Sequence, residues 1–189
     1  ASGTGTLTYQ WYSNDQNNTT TPTLLTGETS STYTPDITTP GTYYYFVVVG
    51  GDCGAAVTSA VATVTVTANT SISADPSGYT ICEDVTATAL SVTASGTGTL
   101  TYQWYSNNEN NTTTPTELTG ETSSTYTPDI TTPGTYYYFV VVDGDCGDAV
   151  TSAVATVTVT ANTSISADPS GYTICEDVTA TALSVTASG

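Results

Sequence analysis

Residues 1–93 recur as residues 94–186 with five differences, Asp15/Asn108, Gln16/Glu109, Leu24/Glu117, Gly50/Asp143 and Ala55/Asp148. Repetition at a period of 93 residues means tandem copies of one domain-sized unit, each carrying its own apolar set. Four of the five differences make the second copy more acidic, and none touches an apolar strand run. The copies join without a break through VTASGTG at 92–98, and Ala187-Ser188-Gly189 repeats Ala1-Ser2-Gly3. The expectation is two periods of a longer array, with another TGTLTYQWY after Gly189.

No apolar period of a helix is present, and Thr, Val and Tyr dominate runs bounded by Gly, Pro, Asn and Asp. In the middle period the strands fall at 70–74, 85–94, 100–106, 123–128, 134–142 and 153–160. Six or seven strands in about ninety residues make an all-β fold, a β-sandwich repeated in tandem. Alternate residues of a strand face opposite sides, so Leu100, Tyr102 and Trp104 share one buried face, with Trp11 in the equivalent place of the first copy. The run from Tyr136 to Val142 is apolar on both faces. One face, starting at Tyr136, fills the core with Trp104. The other carries Tyr137, Phe139 and Val141, or Tyr44, Phe46 and Val48 in the first copy. It is either covered by loops of its own domain or pressed against a neighbour.

The chain has no Lys, Arg or His and seventeen Asp and Glu, a formal charge of −17. That excludes phosphate neutralisation, and with it nucleic-acid binding, and it excludes attraction to anionic lipid. It also removes the usual base near neutrality, the imine-forming amine and the anion clamp, so the chain is read as no enzyme. Carboxylate-pair catalysis needs two distinct acids facing one cleft, whereas these acids sit mostly in turn-like segments. No apolar run is long enough to span a membrane. Two cysteine sites per period, Cys53/Cys146 and Cys82/Cys175, without metal-type C-x-x-C spacing, suit an oxidising, extracellular setting. Asn17, Asn18, Asn69, Asn110, Asn111 and Asn162 each begin an N-x-S/T triplet, a glycan acceptor in a host with the right transferase and otherwise a polar loop.

The order TIC, TALSVTASG, LTYQWYS, SSTYTP, TTPGTYYYFVVVDGDCG, SAVATVTV resembles the Ig-like repeats of very large secreted and cell-surface bacterial proteins of the Bacteroidota type. Cys82, Trp104, the PGTYYY lead-in at 133–138 and Cys146 carry the resemblance, which covers the whole chain. It implies a stalk, fibre or spacer. Tyr138 stands where antibody-type domains have their second core cysteine, which leaves room for a tyrosine corner at Tyr136 but not for the usual core disulfide. The resemblance implies an intradomain Cys82–Cys146 bridge closing a loop of about 64 residues, worth roughly 4 kcal/mol in the loop-entropy account. In a standard sandwich, however, those two positions lie at opposite ends, and Cys82 would then reach the top of the following domain. Cys53 and Cys175 have partners outside residues 1–189 under either pairing.

Domain boundaries fall in the T-A-N-T linker, so that 1–67 is a domain lacking its first two strands, 68–160 is complete, and 161–189 is two strands of the next. Two strands are not stable alone. Residues 161–189 are therefore expected to complete residues 1–67 of the next unit, by continuation of one polypeptide, the favoured arrangement, or by strand donation. Either contact is head-to-tail and builds an open filament. The expected function is an extracellular filament or adhesin stalk with no cofactor and no Lys-based isopeptide staple. The alternatives are a calcium-dependent module, with Asp143, Asp145 and Asp148 as hard-cation ligands, and a carbohydrate-binding module with Trp104 or the tyrosines as its platform.

Overall fold

Branched and aromatic residues fit a pleated, half-buried surface, and the runs rich in them become the strands. The computed structural model describes residues 5–189, so Ala1-Ser2-Gly3 lie outside the described residues, and no α-helix occurs among those described. The chain divides into two units, Ala1–Ala68 and Asn69–Gly189.

The first unit holds β1 (Thr8–Asn14), β2 (Thr23–Leu24), β3 (Gly41–Gly50), β4 (Val57–Thr58) and β5 (Ala62–Val66). They form one sheet in the order β2-β1-β3-β4, with β5 also on β3.

The second unit contains a complete sandwich. Its strands are β6 (Ser71–Ala74), β7 (Tyr79–Cys82), β8 (Leu90–Ser91), β9 (Thr93–Ser95), β10 (Thr101–Asn107), β11 (Thr116–Glu117), β12 (Thr125–Tyr126), β13 (Gly134–Asp143), β14 (Val150–Thr151) and β15 (Ala155–Thr160). β16 (Ser164–Ala167) and β17 (Thr186–Ser188) follow. One face has the order β11-β10-β13-β15-β7, with β14 on β13. The other face is built from the pairs β6–β9 and β8–β12. Between the faces lie Leu90, Val92, Trp104, Tyr138, Val140, Val142, Ala155 and Val157. The fold is an all-β, tandem Ig-like β-sandwich.

β7 is a strand that periodicity did not reveal. It runs parallel to β15, pairing Tyr79 with Val157 and Cys82 with Thr160. Gly78 makes this approach feasible: a Cβ there would lie 2.1 Å from the Thr156 carbonyl oxygen. β13 pairs antiparallel with β10, Trp104 opposite Val140, and with β15, Gly134 opposite Val159. Trp104 is fully buried. Its indole Nε1 donates to the Ser123 carbonyl at 2.9 Å, and the Gln103 amide donates to the carbonyls of Trp104 and Leu118, which fastens the loop after β11 to β10. Where the antibody-type disulfide would lie, the Tyr126 ring packs between Trp104, at 5.6 Å, and Tyr138, at 5.4 Å.

Candidate assembly interface

Residues 161–189 repeat residues 68–96 letter for letter, yet the two copies of this segment do not adopt the same structure. Both make the outer hairpin: β6 pairs with β9 (Ser71 opposite Ser95), and β16 pairs with β17 (Ser164 opposite Ser188), with the same register shift. Residues 79–82 and 90–91 are strands, whereas 172–175 and 183–184 are not. The difference is one of partners. β7 exists on the ladder offered by β15, and β8 on the ladder offered by β12, and a strand without a partner leaves its backbone groups to water.

Side chains follow the backbone. Leu90 is 1% exposed and Val92 6%, while their counterparts Leu183 and Val185 are 62% and 55% exposed. Ile165, Tyr172 and Ile174 are also open to solvent, where Ile72, Tyr79 and Ile81 are half-buried. Gly78 is crowded by Thr156, whereas Gly171 has no atom within 4 Å of an added Cβ. Five large apolar side chains of this segment, Ile165, Tyr172, Ile174, Leu183 and Val185, are thus exposed.

The first unit also differs from the sandwich of the second. Its sheet matches β10, β11, β13, β14 and β15, but it has no counterpart of β7 or β8 among the described residues. Thr32–Tyr33, equivalent to β12, forms no strand. Trp11 is half-buried where Trp104 is sealed, and Ala62 is exposed where Ala155 is covered. The Trp11 indole still donates to the Ser30 carbonyl, and Tyr33 still packs on Trp11 and Tyr45, as Trp104, Tyr126 and Tyr138 do in the second unit.

The other residues named from the sequence fall as follows. Tyr102 and Tyr136 are half-buried and pack against the core. The Tyr136 hydroxyl donates to the Thr132 carbonyl at 2.8 Å, and Tyr43 does the same to Thr39, a tyrosine corner in each unit. Burial raises the Tyr138 phenol well above its ordinary value, with smaller contributions from Tyr126, Tyr136 and Tyr79. The outward face of β13 needs a correction. Phe139 and Phe46 are buried within their own units and are not free to touch a neighbour. Their cross-strand partners cover them: Tyr105 stacks on Phe139 and Tyr12 on Phe46, each at 5.3 Å. Tyr137, Val141, Tyr44 and Val48 are half-buried on the same faces.

The structure does not gather the three candidate metal ligands. The Asp143 carboxylate accepts from the Gly144 amide, and that of Asp145 lies in the space a Cβ on Gly98 would occupy. Asp148 is exposed, and among the described residues no three acidic or cysteine side chains converge. Trp104 offers no face to a sugar. The Asn111 side chain is tied by Asn107, Thr113 and Glu109, and that of Asn162 by Asp84.

The cysteines also need a correction, because no disulfide forms among the described residues. Cys82 lies level with Thr160, beside the start of β13, while Cys146 lies beyond its other end. Ten residues of strand, at about 3.3 Å each, separate the two, far more than the 4.4–6.8 Å usual between bridged Cα atoms.

By class, then, the chain is a tandem repeat of Ig-like β-sandwich units. The chain belongs to the family described as a domain of unknown function, DUF8696, whose model matches residues 1–68 and 69–161. No curated protein matches it. Among solved structures it is similar to extracellular domains 3–5 of Drosophila OTK, at 18% identity and a TM-score of 0.38, covering 70% of this chain and 43% of that one. It is also similar to the tandem Ig repeats of Dlar, at 14% identity and a TM-score of 0.40, covering 82% and 84%. The fibronectin(III)-like modules of Clostridium thermocellum CbhA match at 15% identity and a TM-score of 0.32, covering 85% and 82%.

Proposed function

We propose that the chain is a structural repeat of an extracellular filament or adhesin stalk, joined head-to-tail through residues 161–189 of one unit completing residues 1–67 of the next. In this reading residues 68–160 are one whole domain, and the flanking pieces are halves of a domain shared across the junction. One observation carries it: the same sequence that is buried at Leu90 and Val92 is bare at Leu183 and Val185. Burying a Leu or Val side chain yields about 1.5–3 kcal/mol, and pairing 172–175 parallel to β5 adds a ladder. The next unit arrives by polypeptide continuation or as a separate copy, and the contact is the same. It is heterologous, so its repetition extends without closing unless a ring forms. A mechanical role without catalysis suits a chain with no Lys, Arg or His.

Leu183→Asp tests the reading, since it leaves Leu90 and the complete sandwich untouched. Sedimentation of the native chain is expected to show mass growing with concentration through head-to-tail addition, and the Leu183→Asp chain is expected to stay single. A native chain that stays single, or a variant that assembles equally well, would sink it.

A further inference from the structure

We infer that the cysteines staple successive repeats across the linker, the Cys82 thiol of one repeat bonding to the Cys146-type thiol of the repeat that follows. The inference rests on the head-to-tail reading above and adds a covalent bond to it.

Its basis is that the two cysteine-bearing turns each lie against a linker asparagine, Asn162 at the Cys82 turn and its repeat counterpart Asn69 at the Cys146 turn. At the exit of the complete sandwich, the Glu83 amide donates to the Thr160 carbonyl at 2.7 Å, and the Thr160 hydroxyl donates to the Ile81 carbonyl at 3.1 Å. The Asn162 backbone amide then donates to the Glu83 carboxylate at 3.3 Å, and its side-chain amide to the Asp84 carboxylate at 3.1 Å. The linker is thus held against the turn that begins at Cys82, whose side chain is exposed. At the other end of the same sandwich, the Thr70 amide and hydroxyl donate to the Cys146 carbonyl, at 3.0 and 3.2 Å. Asn69 lies against Gly147, its Cβ 2.9 Å from where a Cβ on that glycine would be. Asn69 and Thr70 are the counterparts of Asn162 and Thr163. Asn162 therefore has a Cys82-type turn bonded to it and, once the following repeat is complete, a Cys146-type turn packed on it.

The path is far shorter than the length of β13, and turns in the linker can shorten it further. From Thr160, which pairs with Cys82, to Thr163, which takes the place of Thr70, is three residues, at most about 10 Å of chain. Each cysteine sits one strand or turn width from that segment. The intradomain alternative must instead cross the full length of β13. With two repeats per chain, Cys82 of one copy meets Cys53 of the following copy, and Cys175 meets Cys146 of the following copy.

Bond formation removes both thiol hydrogens. One S–S bond replaces two S–H bonds, and two electrons and two protons pass to the disulfide of a thiol–disulfide exchange catalyst, which leaves as a dithiol. Such a staple would lock a junction that strand pairing alone leaves reversible.

The test is alkylation of assembled chain after denaturation without reductant, read by peptide mass. The peptides around Cys53 (GDCGAAV) and Cys146 (GDCGDAV) differ, so they can be told apart. In Cys82→Ser the expected change is alkylation at Cys53, rising from background to stoichiometric in interior units, with Cys146 still bonded. Alkylation of Cys146 in its place would mean the intradomain pairing and would overturn the inference. Assembled native chain in which all four thiols alkylate would overturn the staple and leave the head-to-tail reading standing. Chain that stays single, with four reactive thiols, removes both.

Discussion

Leu90 and Leu183 hold the same place in the repeat and see opposite surroundings, one 1% exposed and the other 62%. Their contrast separates what the core of a repeat contributes from what the junction contributes. Leu90→Ala is expected to destabilise the complete sandwich by about 2–5 kcal/mol, the range for emptying a packed site. Leu183→Ala is expected to move the single chain by less than about 0.5 kcal/mol, as exposed positions do, while weakening assembly. Denaturant unfolding of each variant, at concentrations where the chain is single, checks both.

Gly78 and Gly171 divide in the same way. Gly78→Ala places a methyl against the Thr156 backbone and is expected to lower the stability of the repeat itself. Gly171→Ala meets open space in the single chain, so its thermal midpoint should not move, whereas assembly should fail as the segment tries to pair with β5. Equal loss of midpoint in both variants would mean that residues 161–189 already pack somewhere in the single chain.

Alkali should loosen the sandwich through Tyr138. Burial raises its phenol above the ordinary 10.0, and Tyr126 shifts the same way. Above pH 10 the unfolded chain releases these protons and the folded chain keeps them, so stability is fully present below about pH 10 and falls as pH rises beyond it. Denaturant midpoints from pH 8 to 11.5 should decline in that window, and Tyr138→Phe should flatten the decline at some fixed cost in stability.

Every copy carries negative charge with no cation to offset it, a total of −17 per chain. Head-to-tail addition should therefore strengthen with added salt as the screening length shortens. Sedimentation at low and high sodium chloride checks the sign. Assembly that weakens with salt would point to a specific ionic contact at the junction, which a chain without Lys, Arg or His is poorly equipped to make.

Much of the sandwich was readable because its information is local. Leu100, Tyr102 and Trp104 alternate with polar neighbours, and the run from Tyr136 to Val142 marks a strand apolar on both faces. β7 was not readable, since Tyr79–Cys82 is short and its parallel partner lies 78 residues further along the chain. The cysteine pairing was lost with it, because the position of Cys82 depends on which strand β7 joins. The outward face of β13 was ambiguous because periodicity cannot tell whether a cross-strand ring such as Tyr105 will cover Phe139. The period showed that residues 161–189 repeat 68–96, but which side chains differ in exposure between the two copies required the structure.

The most direct measurement titrates a synthetic peptide of residues 161–189 into the Leu183→Asp chain, which can accept strands but not donate them, while following tryptophan emission. Trp104 is sealed already and stays silent, so Trp11 reports. The account predicts a blue shift that saturates at one peptide per chain and is absent with a peptide carrying the same Leu→Asp change. Emission that stays unmoved by the native peptide would contradict it, because residues 161–189 would then not be the strands that the first unit lacks.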